Sequence, residues 1–284
     1  MTEGNAAPPQ APFTLVGKTA IVTGGARGIG RAVVERLAAA GASVLACDLD
    51  REALQEMRAA LGNPDSIAVI HGDLMDASFP QQVVDAALEA FHSIDIVVNC
   101  AGFSWDSVIQ KTSDEQFLAM LNIHIVAPFR LLRAASNYLR ETAKREIASG
   151  QRVMRKVVNI TSISGTDGNP GQAGYAAGKA GVIGLTKTLA REWGRYNINV
   201  NAVGFGLIQT RMTQPPTPEG KINMGGKEIA IGVQPAMLDS IAAACPLGRI
   251  GSAEEAAGAV LFFCSPLSDY VTGEVLICSG GFHF

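Results

Sequence analysis

The chain has 284 residues, of which 48% are hydrophobic and 17% charged, and its formal net charge is −3. Disordered chains have the opposite balance, with few apolar and many charged residues. Nucleic-acid-binding proteins usually carry an excess of basic residues, which this chain lacks. The composition therefore predicts a protein with a packed interior and no nucleic-acid partner, organised in one or two domains.

The sequence predicts no secretion signal, no membrane span and no metal site. Residues 1–13 are polar and proline-rich, so we expect a flexible tail rather than a secretion signal. The longest uncharged stretch, residues 196–210, is too short to span a membrane. The five cysteines include no C-x-x-C pair, and the four histidines lack the spacing of metal ligands. We expect a cytoplasmic protein with reduced cysteines, no metal and no membrane partner.

Short runs rich in β-branched residues alternate with longer helical stretches. The strand-like runs are residues 18–23, 42–48, 66–73, 94–100, 156–162, 197–204 and 274–279. The helical stretches are residues 29–40, 50–61, 79–92, 113–148, 175–196 and 252–264. In the fourth of these helices, Pro128 removes one backbone hydrogen bond and predicts a kink. Apolar strands that alternate with helices predict one α/β domain over residues 14–284, doubly wound around a central parallel sheet of about seven strands.

Two segments interrupt this alternation. Residues 141–156 are basic, contain a glycine and precede the fifth strand. We expect them at the edge opposite the ligand, as a solvated face or a subunit contact, with substrate docking as the alternative. Residues 209–248 include three prolines between positions 215 and 218. Because this segment follows the carboxyl end of the sixth strand, where doubly wound sheets bind ligands, we expect a long irregular lid over the substrate.

The first strand is followed by a glycine-rich turn that leads into a helix. Gly24, Gly28 and Gly30 give the spacing G-x-x-x-G-x-G, and Asp48 lies eighteen residues beyond Gly30 at the end of the second strand. Glycines let the backbone approach a pyrophosphate, whose charge the helix N-terminus stabilises. With a strand before it, a helix after it and the later carboxylate, this turn predicts a dinucleotide-binding site.

Two side chains near this turn bear on which dinucleotide binds. Asp48 can accept hydrogen bonds from both hydroxyls of the NAD ribose, but it repels the 2′-phosphate of NADP. Arg27 has the opposite tendency, because its guanidinium can pair with that phosphate. We expect NAD as the cofactor and leave NADP as the alternative.

A phenol and an ammonium lie four residues apart in the helix after the fifth strand. Tyr175 and Lys179 therefore share one face of that helix, and Ser162 ends the strand on the ligand side of the sheet. A free phenol has a pKa of about 10, and we expect the Lys179 cation to lower the pKa of Tyr175. Tyr175 would then act as the acid/base, with Ser162 donating a hydrogen bond to a carbonyl oxygen. Ser162 lacks the G-x-S-x-G pattern of a hydrolase nucleophile.

Together these motifs resemble the short-chain dehydrogenase/reductase family, from about Phe13 to the C-terminus. Further matches are Asp73-Leu74 after the third strand, Asn99-Cys100-Ala101-Gly102 after the fourth, and Asn122 in the long helix. The resemblance implies a Rossmann fold, a nicotinamide cofactor and a substrate with an alcohol or carbonyl group. It also implies a homotetramer, assembled through the long helices that begin near Ser113 and Tyr175.

The resemblance assigns cofactor contacts along the cavity. The residues of the glycine-rich turn that would contact the cofactor are Gly24, Arg27, Gly28, Ile29 and Gly30. Asp73 and Leu74 would contact the adenine. Ile208 and Thr210 would contact the carboxamide of the nicotinamide, although Phe205 replaces the usual proline after the sixth strand.

The resemblance assigns the other residues to the reacting end of the cofactor. Asn99, Ala101 and Gly102 would line the ribose–nicotinamide region, where a cysteine at position 100 replaces the usual asparagine. Lys179 would also hold the nicotinamide ribose. Asn122 would be the fourth catalytic residue and hold a water that links Lys179 to solvent.

These residues predict an NAD(P)-dependent oxidoreductase that interconverts a ketone and a secondary alcohol. The members that look most similar are 3-oxoacyl-acyl-carrier-protein reductases, which favours an acyl-thioester substrate. A dehydrogenase of a free small alcohol or sugar alcohol is the alternative within the same class. A non-catalytic dinucleotide-binding sensor is the rival from another class, but it would have no reason to keep the catalytic residues together.

Overall fold

The computed structural model describes residues 13–63, 65–213, 221–224, 227–230, 232–233 and 235–283. Apart from its last residue, the predicted tail at 1–13 lies outside these described residues. The strands are β1 Thr19–Thr23, β2 Ser43–Asp48, β3 Ile67–His71, β4 Ile96–Asn99, β5 Arg155–Ser162, β6 Ile198–Phe205, β7 Lys221–Met224, β8 Lys227–Ala230 and β9 Val275–Cys278. The helices are α1 Gly28–Ala39, α2 Arg51–Leu61, α3 Phe79–Phe91, α4 Asp114–Leu121, α5 Ala127–Ala148, α6 Ile163–Thr166, α7 Ala173–Trp193, α8 Pro235–Ala244 and α9 Ala253–Cys264.

The predicted α/β fold class is confirmed by a seven-stranded parallel sheet with the order β3-β2-β1-β4-β5-β6-β9. Helices α1, α2 and α9 cover one face of the sheet, and α3, α4, α5 and α7 cover the other. Alternation along each strand supplies both cores, so Ala20 and Val22 pack on one side while Ile21 packs on the other. The strand order reverses between β1 and β4, where a doubly wound sheet opens a crevice at its carboxyl edge.

The long helix predicted over residues 113–148 is interrupted before Pro128 rather than at it. Residues Asn122–Val126 form one π-helical turn between α4 and α5, in which the Ala127 N–H donates to the Asn122 carbonyl. Pro128 lies in the first turn of α5, directly after the π-helical turn. By length and hydropathy alone, Asp114–Ala148 is the one candidate membrane span among the described residues. Its buried side chains belong to the core between this helix and the sheet.

The basic segment at residues 141–156 is only partly a solvated face. Its first half continues α5 to Ala148, and its last residues start β5. The Arg155 guanidinium is 4% exposed and donates to both carboxylate oxygens of Glu146 at 2.6 and 2.7 Å. The expectation of a solvated or subunit face is therefore wrong for the buried residues Arg155 and Lys156, which need ion-pair partners because burial removes their hydration.

The segment predicted as an irregular lid contains regular structure. Its described residues form the antiparallel pair β7–β8 and the helix α8. Residues 214–220, 225–226, 231 and 234 lie outside the described residues. The expectation of a long irregular segment is therefore wrong, because residues around β7, β8 and α8 form regular structure. The role of this segment as a lid stays a prediction.

Candidate active site

A cavity of about 530 Å³ lies at the carboxyl ends of β1, β2, β4, β5 and β6. This volume is within the ordinary range of ligand sites. The predicted site residues that line it are Gly24, Arg27, Gly28, Ile29, Gly30, Asp48, Asp73, Leu74, Ala101, Gly102, Ser162, Tyr175, Lys179, Ile208 and Thr210. The fold therefore brings segments more than a hundred residues apart to one cavity.

One end of the cavity is formed by the glycine-rich turn and the N-terminus of α1. A side chain at Gly30 would overlap the carbonyl group of Gly24, and Gly28 has a left-handed φ of +54°. Both positions therefore need glycine for the turn to close. No side chain caps the N-terminus of α1, and its first turn contains no acidic residue. The helix thus presents unpaired N–H groups and a partial positive charge, which fits the pyrophosphate of a dinucleotide.

Asp48 occupies the end of β2 beside this turn. One oxygen of its carboxylate accepts the Ala26 N–H at 3.1 Å, and the other accepts the Asp50 N–H at 3.1 Å. These bonds fix the carboxylate at the cavity wall. Arg27 does not reach across to it, because the Arg27 Nε donates to Asp50 at 2.9 Å.

The other end of the cavity holds Ser162, Tyr175 and Lys179. Ser162 ends β5, and its Oγ accepts the Ser164 N–H at 3.1 Å. Tyr175, Ser162 and Lys179 all line the cavity. The Lys179 Nζ lies 5.7 Å from the centre of the Tyr175 ring and donates to the Ile160 carbonyl at 2.8 Å. The helical spacing therefore places phenol and ammonium on one face, as expected from the sequence.

Burial controls the ionisation of both groups, which corrects one expectation. It raises the pKa of Tyr175 to about 12, although the Ser162 side chain acts in the opposite direction. Burial also lowers the pKa of Lys179 to about 8. The net pKa of Tyr175 is therefore raised rather than lowered as expected from the sequence, because the cost of removing the phenolate from water is the largest effect on this group. A phenol in this state holds its proton at neutral pH and can donate it.

Two predicted residues lie near the cavity without lining it. Asn99 is buried at the end of β4, where its Nδ2 donates to Asn159 Oδ1 at 2.8 Å. This amide pair joins the neighbouring strands β4 and β5, and the contact of Asn99 with the ribose–nicotinamide region stays a prediction. Asn122 opens the π-helical turn and is not among the lining residues. Its role through a water stays a prediction.

The loop after β4 is held in place by hydrogen bonds that the sequence analysis did not identify. The Ser107 N–H donates to the Gly171 carbonyl at 2.8 Å, and Gln172 Nε2 donates to Asp106 at 2.7 Å. Gln172 in turn accepts the Ser164 hydroxyl at 2.8 Å. These bonds fix the loop against the segment that precedes Tyr175.

His124 lines the cavity, and the sequence analysis did not identify it as a site residue. It is 2% exposed, and its ring packs edge-to-face against Tyr175 with 4.8 Å between ring centres. A histidine without a neighbouring ligand carries no sequence signal, because its role depends on contacts between distant segments. Across the described residues, no cluster of three or more metal-ligating side chains is present.

An uncapped helix N-terminus and an acidic residue at the ribose end, with a partly buried phenol and a buried ammonium at the other end, define a class of dinucleotide-dependent oxidoreductases. Comparison with known proteins agrees with this class. A family model described as "Enoyl-(Acyl carrier protein) reductase" matches residues 24–283.

The relatives and a solved structure match nearly the whole chain. The (3R)-3-hydroxyacyl-CoA dehydrogenase of Rattus norvegicus is 36% identical over 271 residues, covering 92% of this chain and 95% of the relative. The 3-oxoacyl-[acyl-carrier-protein] reductase of Thermotoga maritima is 35% identical over 268 residues, covering 94% and 98%. A crystal structure from Brucella melitensis, of a short-chain dehydrogenase/reductase named glucose/ribitol dehydrogenase, has a TM-score of 0.81 at 29% identity, covering 96% and 100%.

The chain belongs to the short-chain dehydrogenase/reductase family. It is an oxidoreductase that uses a nicotinamide dinucleotide to interconvert a carbonyl group and an alcohol.

Proposed function

We propose that the protein interconverts 3-oxoacyl and 3-hydroxyacyl thioesters with NAD(H) as its cofactor. The observation that carries this proposal is the Tyr175 phenol, which lines the cavity together with Ser162 and lies beside the Lys179 ammonium. The thioester is favoured because relatives over nearly the full chain are named for hydroxyacyl-CoA and oxoacyl-carrier substrates.

Each of the three residues has a distinct task in the reduction. The reduced nicotinamide supplies hydride to the carbonyl carbon when it is bound. Ser162 donates a hydrogen bond to the carbonyl oxygen, and Tyr175 gives its proton to the alkoxide that forms there. Lys179 stabilises the phenolate left behind and holds the nicotinamide ribose. In the oxidation, the same phenolate accepts the alcohol proton.

The wall around Asp48 supports NAD rather than NADP. A 2′-phosphate at the ribose would face the carboxylates of Asp48 and Asp50, and Arg27 is already paired with Asp50. We expect Asp48→Ser to remove the repulsion and raise kcat/KM for NADPH relative to NADH by roughly tenfold or more, about 1.4 kcal/mol. The measurement is the ratio of the two kcat/KM values in both proteins. A wild-type preference for NADPH would contradict the assignment.

The substrate proposal is tested with a panel followed by reduced-nicotinamide absorbance. The panel contains acetoacetyl-CoA, a carrier-bound 3-oxoacyl thioester, a free ketose, a small ketone and an enoyl thioester. We expect the two 3-oxoacyl thioesters to give the highest kcat/KM, with no turnover in Tyr175→Phe. A ketose preference would support the sugar-alcohol alternative, which the name of the Brucella melitensis protein favours. Turnover of only the enoyl thioester would exclude ketone reduction.

We also propose a cytoplasmic homotetramer in which residues 209–248 act as the substrate lid. The five cysteines, all of them described, are free thiols, which is typical of a reducing compartment. Leu118 on α4 and Phe129 on α5 are 58% and 43% exposed, and such apolar side chains on adjacent helices favour a subunit contact. Sedimentation of the wild type and of Leu118→Glu tests the assembly.

A further inference from the structure

His124 joins two walls of the active site through one buried ring. Its Nε2 lies 2.7 Å from the Phe103 carbonyl oxygen, on the loop after β4. The same ring packs at 83° against the ring of Tyr175 on α7. The backbone leaves room for it, because a side chain at Gly102 would lie 2.5 Å from the imidazole Cε1 and one at Gly178 would lie 2.8 Å from the His124 Cβ.

The protonation state of this ring follows from its neighbours. A carbonyl oxygen can only accept, so the Nε2 of His124 carries the proton. Burial, together with the nearby Lys179 cation, lowers the pKa of His124 well below 6.5. The ring is therefore neutral, and its Nδ1 is a bare acceptor. Among the described residues this buried atom has no hydrogen-bond partner.

An unpaired acceptor in the interior is unfavourable, and a hydrocarbon ring would fill the same space without it. What the imidazole adds over such a ring is the N–H bond to Phe103. The polar ring therefore contacts both the loop after β4, at Phe103, and the Tyr175 phenol.

We propose that His124 is a positioning residue that fixes the Tyr175 phenol relative to the cavity wall at Phe103. This inference rests on the proposed acid/base role of Tyr175. The ring packs edge-to-face against the phenol and so restricts its movement, and the contact of the same ring with Phe103 ties that restriction to the loop that carries Asp106.

Three substitutions separate the ring from its hydrogen bond. His124→Phe keeps a ring but loses the N–H, His124→Gln keeps an amide donor but loses the ring, and His124→Ala loses both. We expect kcat for acetoacetyl-CoA to fall by about tenfold in His124→Ala, because a small misplacement of a catalytic group is costly. The two other variants should recover part of that loss. The Kd for NADH, measured by fluorescence quenching, should stay within about twofold in all three.

A spectroscopic titration of the Tyr175 hydroxyl is a second measurement, because a purely structural role of His124 would not change the pH at which this hydroxyl ionises. The polar and titratable groups that act on the Tyr175 hydroxyl are Ser162, Lys179, Cys100 and Asp106, in addition to the neutral His124. Removing the ring in His124→Ala admits water beside the phenol, so the tyrosinate signal that disappears in Tyr175→Phe should titrate at lower pH than in the wild type. In His124→Phe, where the phenol stays covered, it should not move.

Leu131→Ala is the matched control, since it removes a fully buried side chain from α5 away from the cavity. It should lower Tm without changing kcat or the tyrosinate titration. The inference is overturned if all three His124 variants retain the wild-type kcat, or if their losses merely follow Tm as in Leu131→Ala. Turnover by Tyr175→Phe, in contrast, would overturn the acid/base proposal itself.

Discussion

Two lysines are buried in this protein to the same degree but in opposite surroundings. Lys156, at the start of β5, and Lys179, on α7, are 4% and 5% exposed. The Lys156 ammonium donates to Asn199 at 2.9 Å, to Ser268 at 3.2 Å and to the carboxylate of Asp269 at 2.6 Å. Lys179 donates to one backbone carbonyl, and the described residues place no carboxylate against it.

The difference shows how burial serves structure in one case and chemistry in the other. With three acceptors, all donors of the Lys156 ammonium are used, and the cation joins β5 to β6 and to the turn before β9. Lys179 keeps two N–H donors for a ligand, and its pKa falls to about 8 because nothing compensates fully for its burial. An under-satisfied buried cation in a cavity is typical of a functional site.

The substitution Lys179→Met tests whether Lys179 differs in function from Lys156, and we expect the largest effect here. We expect kcat/KM to fall by roughly 10²-fold or more, the usual range for loss of a group that supports proton transfer. Folding should not suffer, because the substitution removes an incompletely paired buried charge and leaves a side chain of similar length. The measurements are steady-state kinetics and urea unfolding of the same preparation. Retained activity would place Lys179 with Lys156 as a structural cation.

The sequence predicted the helical partnership of Tyr175 and Lys179 but not its electrostatics. Spacing of four residues fixes which side chains share a helix face, and that is a local property. The pKa of each group depends on what covers it, and the cover comes from β4, β5 and the π-helical turn. For the same reason the sequence did not identify His124, whose contacts to Phe103 and Tyr175 join three segments.

The regular elements were more predictable than the loops, because their signal is periodic. All seven strands of the sheet were found from apolar runs, with ends within a few residues. Asn99 matched a motif, but the motif did not show that its side-chain amide pairs with Asn159 on the neighbouring strand. The hairpin β7–β8 lacked a recognisable signal, since prolines and glycines around it predicted irregular chain.

A second test uses pH, because the lowered pKa of Lys179 links protonation to stability. The folded protein loses this proton at about pH 8, whereas the ordinary pKa of a lysine is 10.5. Between these values the unfolded chain binds more protons, so this group makes the free energy of unfolding rise with pH across that window. The full contribution is at most about 3 kcal/mol.

Buried cysteines act in the opposite direction, so the test is a difference between two proteins. Burial raises the pKa of Cys100 and of Cys264 to about 12, and unfolding therefore becomes easier once exposed thiols ionise. Both effects are present in the wild type, but Lys179→Met retains only the thiols. We expect the stability of the wild type relative to Lys179→Met to rise from pH 8 to pH 10. If the difference in the free energy of unfolding between the two proteins did not change with pH, the Lys179 ammonium would not be destabilised by burial in the folded protein.

The smallest effect is expected at the structural lysine, and it depends on which partner is removed. Asp269→Ala leaves a buried ammonium without its carboxylate, whereas Lys156→Met leaves a carboxylate that is 41% exposed and can be hydrated. Breaking a fully buried ion pair costs about 3–5 kcal/mol, and water access to Asp269 should reduce this to about 2 kcal/mol for Asp269→Ala and about 1 kcal/mol for Lys156→Met. Urea unfolding measures both, and kcat/KM of the folded protein should stay within about twofold because neither group lines the cavity. The informative result is which variant loses more stability. We expect the larger loss in Asp269→Ala, because the buried Lys156 ammonium depends on its partner. A larger loss in Lys156→Met would show that the Asp269 carboxylate is the group that depends on its partner.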